Sequence, residues 1–331
     1  MPNATRLNII LGFAAIYIIW GSTYLAIRWG VDTLPPFILA GVRFLIGGGL
    51  LYWWAIARGA EKPQKKHWLT TGVIGLLMTV SGIGLVTWAE KTVPSGITAL
   101  MIAMVPMWIV LIDWIRPNGT RPAWIAIFGV LLGFGGVAFL INPTNIGGLS
   151  EIDSLGAFLI AVACFSWALG SVYSRYAPQP KSQALSAGMQ MIIGGAVLML
   201  LALLKGEYAE IDLAAISAKS VWSLVYLITI GSYAYAVYIW LMKASTPARV
   251  STYAYVNPII ALFLGSILAG EELSGWALGC STVIILAVVL IISAKARAQI
   301  IDMGSSENDA KKANEPEKII KDGSEPAAEC C

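Results

Sequence analysis

The chain has 331 residues, 57% of them hydrophobic and only 12% charged, with a net charge of +3 and a single histidine. A mean hydropathy of +0.74 excludes a soluble domain, because no water-facing surface accommodates that much apolar area. The small charge excess gives no sign of a nucleic-acid partner. With no His/Cys/Asp/Glu group at ligand spacing, nothing supports a metal, a cofactor or an enzyme.

Runs of about 20 apolar residues can cross a ~30 Å hydrocarbon core as helices, whose backbone groups pair within their own segment. Ten such runs are present: 8–28, 35–57, 68–89, 94–115, 122–141, 154–176, 183–204, 220–242, 248–269 and 275–294. The predicted fold class is therefore an all-α integral membrane protein with ten transmembrane helices. Span 1 carries Trp20 near its middle. Span 2 carries Arg43, about 12 Å along the helix axis from its outer end. Span 3 has Ser81, Gly82 and Gly84 at its centre and Glu90 at its outer end. Span 4 carries Pro106 and, near its inner end, Asp113. Span 5 holds the pair Gly129 and Gly133, span 6 Trp167 and span 7 Gln190. Span 8 is centred on Gly231, Ser232, Tyr233 and Tyr235; span 9 contains Tyr253, Tyr255 and Asn257-Pro258; Glu271 and Glu272 precede span 10.

The chain repeats itself. AGVRFLIGGGLL at 40–51 matches AGMQMIIGGAVL at 187–198, an offset of 147 that also places Trp20 on Trp167, Arg28 on Arg175 and Arg43 on Gln190. Further on, an offset of 152 pairs Trp88 with Trp240, Lys91 with Lys243, Pro106 with Pro258 and Trp124 with Trp276. Residues 8–141 and 154–294 thus form two five-span repeats. An odd span count inverts the second copy relative to the first, as in many secondary transporters.

Lysine and arginine near the membrane number 13 on the side holding the N-terminus and the even-to-odd loops, against 4 on the other. The bias predicts residues 1–7 and the polar tail 302–331 in the cytoplasm. The tail's composition reads as disordered, and its terminal Cys330-Cys331 as no anchor. Cys164 and Cys280 read as small buried apolar residues. The first apolar run is too long for a signal peptide and lacks a cleavage site. The sequons at Asn3 and Asn118 fall on the cytoplasmic side and carry no weight.

Three groups are candidates for a transport pathway. Arg43 is a charge at a depth where it is costly, so it meets a substrate carboxylate or serves an outer gate, or else snorkels outward or pairs with Glu90. Trp20 and Trp167 lie at mid-span, away from the interfacial belts expected of Trp53, Trp54, Trp68, Trp88, Trp114 and Trp240. They wall an apolar cavity or simply pack. Pro106 and Pro258 free backbone carbonyls at matched mid-span positions and read as hinges, with Asn257 and Tyr253 on one helix face beside the second. Ser81, Tyr235, Gln190 and Glu90 complete the candidate substrate-binding or gating set.

Tyr17-Ile-Ile-Trp-Gly-Ser-Thr-Tyr24, Ala40-Gly-Val-Arg-Phe44, Val93-Pro-Ser-Gly96, Phe165-Ser-Trp-Ala168, Ser251-Thr-Tyr-Ala-Tyr-Val-Asn-Pro258 and Gly270-Glu-Glu-Leu-Ser274 resemble the EamA branch of the drug/metabolite transporter superfamily. The resemblance runs over residues 8–294. It implies a bacterial inner-membrane exporter of small metabolites or drugs with a central cavity, no cofactor and no nucleotide hydrolysis. The sequence departs from the pattern at Asn118-Gly-Thr120, where the first repeat lacks the Gly-Glu motif that the second keeps. The expected function is secondary export of small amphipathic metabolites, amino acids or drugs by alternating access. A carrier of anionic metabolites would want more central cations than Arg43, and a non-transporting scaffold or receptor is the alternative of another class. Expected partners are the small-molecule substrate and the lipid bilayer, with a homodimer left open.

Overall fold

The computed structural model describes residues 6–117, 119, 121–141, 153–245, 250, 252–271, 275, 276, 278–291 and 293. The tail with Cys330 and Cys331, the sequon residues Asn3 and Asn118, the Tyr255 side chain and Glu272 lie outside them. Among the described residues every regular element is helical. Seven helices are long and apolar enough to cross a membrane: α1 (Arg6–Val31), α2 (Pro36–Ala57), α3 (Lys65–Ala89), α4 (Ser95–Ile115), α6 (Ser154–Tyr176), α7 (Gln183–Leu204) and α8 (Ala218–Ala244). Three shorter apolar helices are α5 (Trp124–Ile141), α9 (Tyr253–Ala269) and α10 (Leu278–Ile291).

Helix ends follow local chemistry. Pro36 opens α2, where its missing N–H would have no intrahelical partner. The Glu207 carboxylate reaches across to accept from the next two amides, Phe37 N–H and Ile38 N–H, both at 3.0 Å. Asp153 caps α6 by accepting from Leu155 N–H and Gly156 N–H at 3.1 Å. The Thr92 hydroxyl donates to the same side chain at 2.7 Å and holds this carboxyl below its ordinary range. Ser182 and Ser217 cap α7 and α8, and Gly270 ends α9 at a φ of +66° that a side chain would strain.

Glycine sets the centre of the bundle. α2 and α7 run antiparallel with their backbones almost touching. A Cβ on Gly48 would lie 2.9 Å from the Gly188 carbonyl, and one on Gly195 would lie 3.0 Å from the Gly41 carbonyl. Exchanging each residue for its mate at the offset of 147, Gly48 for Gly195 and Gly188 for Gly41, turns one contact into the other, so the crossing is its own image. Without a hydrophobic force between helices in lipid, such close approach supplies the attraction through dispersion. The mid-span tryptophans Trp20 and Trp167 belong to the buried core, as do Tyr238 and Tyr253. Trp53, Trp54, Trp68 and Trp114 are exposed, whereas Trp88 and Trp240 are half-buried and pack on the core.

The mid-spans with small and polar residues, in α3 and α8, widen into π-helical turns, over Leu76–Gly84 and Leu227–Gly231. Such widening frees backbone groups and recurs at functional sites. α4 breaks at Ala103–Met104 and resumes at Val105, so Pro106 occupies the first turn of its second half. Pro258 instead sits inside a continuous α9.

The glycine crossing generates a prediction. Gly48→Val should lower the midpoint of thermal unfolding in detergent by several degrees, because overpacking costs about 1–3 kcal/mol or more. Gly49→Val, where a Cβ meets nothing within 4 Å, should leave the midpoint unchanged. Equal midpoints for the two variants would refute the crossing.

Candidate functional site

Trp20 and Trp167 meet edge to face, with ring centroids 5.7 Å apart at 82°. Tyr253 stands against Trp20 in the same manner at 5.1 Å, and Tyr238 touches both tryptophans at 4.9 and 5.7 Å. Such contacts fix ring positions beyond what burial alone does. On this aromatic floor lies a cavity of ≈ 70 Å³, whose other walls include Thr23, Tyr24, Arg43 and Cys164. It has room for a few waters and none for an amino acid. It lies in the half of the bundle toward the end of α3, here called the Glu90 face.

Arg43 is 4% exposed, and its Nε and Nη1 have no hydrogen-bond partner among the described residues. The guanidinium lies 4.9 Å from the Phe44 ring centroid and beside Gly231, where a Cβ would stand 3.4 Å from Nη2. Glu90 is fully buried, and neither carboxylate oxygen has a hydrogen-bond partner among the described residues. Of the alternatives open in the sequence, Arg43 neither snorkels to water nor bonds to Glu90. Arg28, one turn below the end of α1, donates to the Glu90 and Lys91 carbonyls at 2.5 and 2.7 Å, and so caps the C-terminus of α3. A basic and an acidic group are thus buried close to one another without direct contact, where each costs several kcal/mol to hold as an ion.

The repeat partner of Arg43 behaves differently. Tyr235 donates to Gln190 Oε1 at 2.8 Å, and Gln190 Nε2 donates to Ser186 Oγ and Gln179 Oε1 at 3.1 and 3.2 Å. Gln179 in turn accepts from the Ser186 hydroxyl at 2.5 Å and donates to the Ser174 carbonyl. Gln190 and Tyr235 therefore belong to a neutral, satisfied network toward the opposite face, away from the cavity wall. Ser81 is half-buried in the π-helical turn of α3; its neighbour Gly82 reaches the cavity instead. Asn257, oriented to satisfy its neighbours, donates its amide to the carbonyls of Tyr17 and Tyr253 at 3.1 and 3.3 Å, fastening α9 to α1 beside Pro258.

The structure thus brings Trp20, Arg43, Trp167 and Tyr253 together around one space. Thr23, Tyr24 and Cys164 join them without having been singled out as site residues from the sequence. Their signal was helical spacing: Thr23 and Tyr24 follow Trp20 by three and four residues, and Cys164 precedes Trp167 by three. Among the described residues no group of His, Cys, Asp or Glu could hold a metal ion.

Comparison with known proteins adds an independent observation. The EamA-like transporter family matches residues 7–142 and 154–293. The chain is similar to the uncharacterized inner membrane transporter YedA of Escherichia coli K12, at 39% identity over 287 residues, covering 85% of this chain and 89% of that protein. It is similar to the uncharacterized transporter YvbV of Bacillus subtilis, at 26% identity over 296 residues, covering 89% and 94%. One solved crystal structure superposes with a TM-score of 0.61 at 20% identity, over 86% of this chain and 96% of that one, a likeness of fold alone.

Unpaired buried charges that serve the fold poorly should be removable together. The double variant Arg43→Met/Glu90→Gln should unfold thermally at the parental temperature or above it, since apolar or neutral replacement of buried charge is neutral or stabilising by about 1–4 kcal/mol. A drop of several degrees would assign the two charges to stability instead.

Proposed function

The chain belongs to the EamA-like transporter family, and on that premise we propose that it exports small amphipathic metabolites, amino acids or drugs by alternating access. It is a multi-pass protein of the inner membrane. In this reading ten spans form two inverted five-span repeats, both termini are cytoplasmic, and the Glu90 face looks outward. The self-imaging contact of antiparallel α2 and α7 supports the inversion, as does the match of the family to two successive segments.

One observation carries the functional reading: a buried guanidinium without a bonded counterion faces an aromatic wall across a cavity. An anionic group on the substrate meets Arg43, and its apolar body lies on Trp20, Trp167 and Tyr253. The cavity is too small for that occupant as it stands, so the surrounding helices move. The break in α4 before Pro106 and the lost backbone donor at Pro258 make these two helices the hinges. The neutral Gln190 network closes the opposite half while the Glu90 half is in use.

Counterflow of labelled solutes in proteoliposomes tests this. Saturable exchange is expected, and Arg43→Gln should slow it at least about tenfold for solutes bearing a carboxylate, the loss of a charge-assisted hydrogen bond, while sparing solutes without one. No counterflow with any solute would favour a scaffold or receptor.

A further inference from the structure

The Glu271 side chain crosses from the end of α9 to the start of α4. Its Oε1 accepts from Ser95 N–H at 2.9 Å and from the Ser95 hydroxyl at 2.7 Å, and its Oε2 accepts from Gly96 N–H at 3.1 Å. Room for this comes from missing side chains: a Cβ on Gly265 would collide with Oε2, and one on Gly96 would press it at 3.4 Å. α4 and α9 are repeat mates through Pro106 and Pro258, so the carboxylate ties two matched helices at the Glu90 face. At the other face the same offset of 152 brings Gly119 to the place of Glu271, and no carboxylate is supplied there. The tie is one-sided.

Glu90 lies within electrostatic range of this tie. The charged and titratable groups facing it are Tyr24 and Arg28 on α1, Arg43 on α2 and Glu271 beyond α9. Lys91 is its own neighbour, and Asp153, at the start of α6, is bonded to Thr92 two residues on. Its own oxygens are buried and without a hydrogen-bond partner among the described residues, so no bond fixes its charge state.

We propose that Glu90 is a proton-binding site whose charge works Glu271 as a strap across the Glu90 face. A proton on Glu90 removes a like charge from the neighbourhood of Glu271 and leaves the strap fast. Loss of that proton repels Glu271 in a medium of low dielectric, loosens its hold on Ser95 and Gly96, and lets α4 and α9 part at this end. This rests on the transport reading for its purpose, but its test requires no substrate.

Cys164, on the cavity wall and buried, reports access. Full-length protein with Cys280, Cys330 and Cys331 replaced by Ala is reconstituted, and a charged, membrane-impermeant methanethiosulfonate is applied from each face in turn. Glu271→Gln should speed labelling from the Glu90 face by about tenfold, the population change that one charge-assisted hydrogen bond supports. Gly265→Ala should do the same while keeping the carboxylate, and labelling from the opposite face should stay as it was. Between about pH 5 and 9, parental labelling should rise more steeply than that of Glu90→Gln, which carries only the titration of the thiol itself and stays slow. Labelling rates in Glu271→Gln and Gly265→Ala equal to the parent's, even with a lowered melting temperature, would make Glu271 a static cap and overturn the strap. A pH profile shared by the parent and Glu90→Gln would overturn the proton site. Faster labelling without carriage of any solute would uphold the strap and remove the transport reading.

Discussion

The near-contact of the α2 and α7 backbones constrains everything else in the bundle. At Gly41, Gly48, Gly188 and Gly195 the missing side chains let backbone and side-chain atoms of the facing helix come within about 3 Å of where a Cβ would stand. In lipid, where apolar side chains gain nothing by leaving solvent, this density of backbone contact is what holds helices together. The crossing also decides where the charge goes. Arg43 lies between Gly41 and Gly47, and a Cβ on Gly47 would strike the Ser232 hydroxyl, so α2 rests equally close on α8. The Arg43 guanidinium is thereby delivered to Gly231, where the π-helical turn of α8 ends.

On that symmetric frame the polar groups are not symmetric. Gln190 answers Arg43 through the repeat, yet its amide is fully engaged with Tyr235, Ser186 and Gln179. A neutral network with its bonds made costs little to bury and resists being pulled apart. A guanidinium and a carboxylate held apart cost a great deal to bury and gain from almost any partner of suitable charge. The cavity lies in the half with the unsatisfied groups. One half has its polar bonds made, and in the other the buried Arg43 and Glu90 atoms lack partners among the described residues.

Much of this was legible in the sequence. Run length placed the helices, because apolar segments of that length have few other options. The repeat offset paired Trp20 with Trp167, and the structure shows them in contact. Span position led to the expectation that Arg43 and Glu90 lie at similar depth, and both are buried. What the sequence withheld depends on geometry between distant segments. Nothing local says that Glu207 caps α2 or that Glu271 caps α4, since these partners lie 170 and 176 residues apart. Tyr238 was not among the residues singled out in span 8, and only the packing of α8 against α1 and α6 makes it part of the floor. The widening of α3 and α8 was also hidden. Glycine and serine at mid-span permit close packing or a distorted helix alike, and the tertiary neighbours decide which.

The break in α4 against the continuity of α9 bears on how the two halves divide their labour. Both helices carry a proline at the matched position, so both lose the same backbone donor. In α9 the Asn257 amide, one residue before the proline, bonds the Tyr253 and Tyr17 carbonyls and holds the helix to α1. The residue matched to Asn257 in α4 is Val105, whose side chain has no donor to offer, and the helix is interrupted at Ala103–Met104 by tighter turns. One of the two matched prolines thus has a side chain beside it that fastens its helix to α1, and the other has none. The interruption lies in the helix that Glu271 ties at its start, and both Ile102 and Val105, on either side of it, face the cavity. Motion released at that end therefore has a place to bend, and the bend lies on the wall of the site.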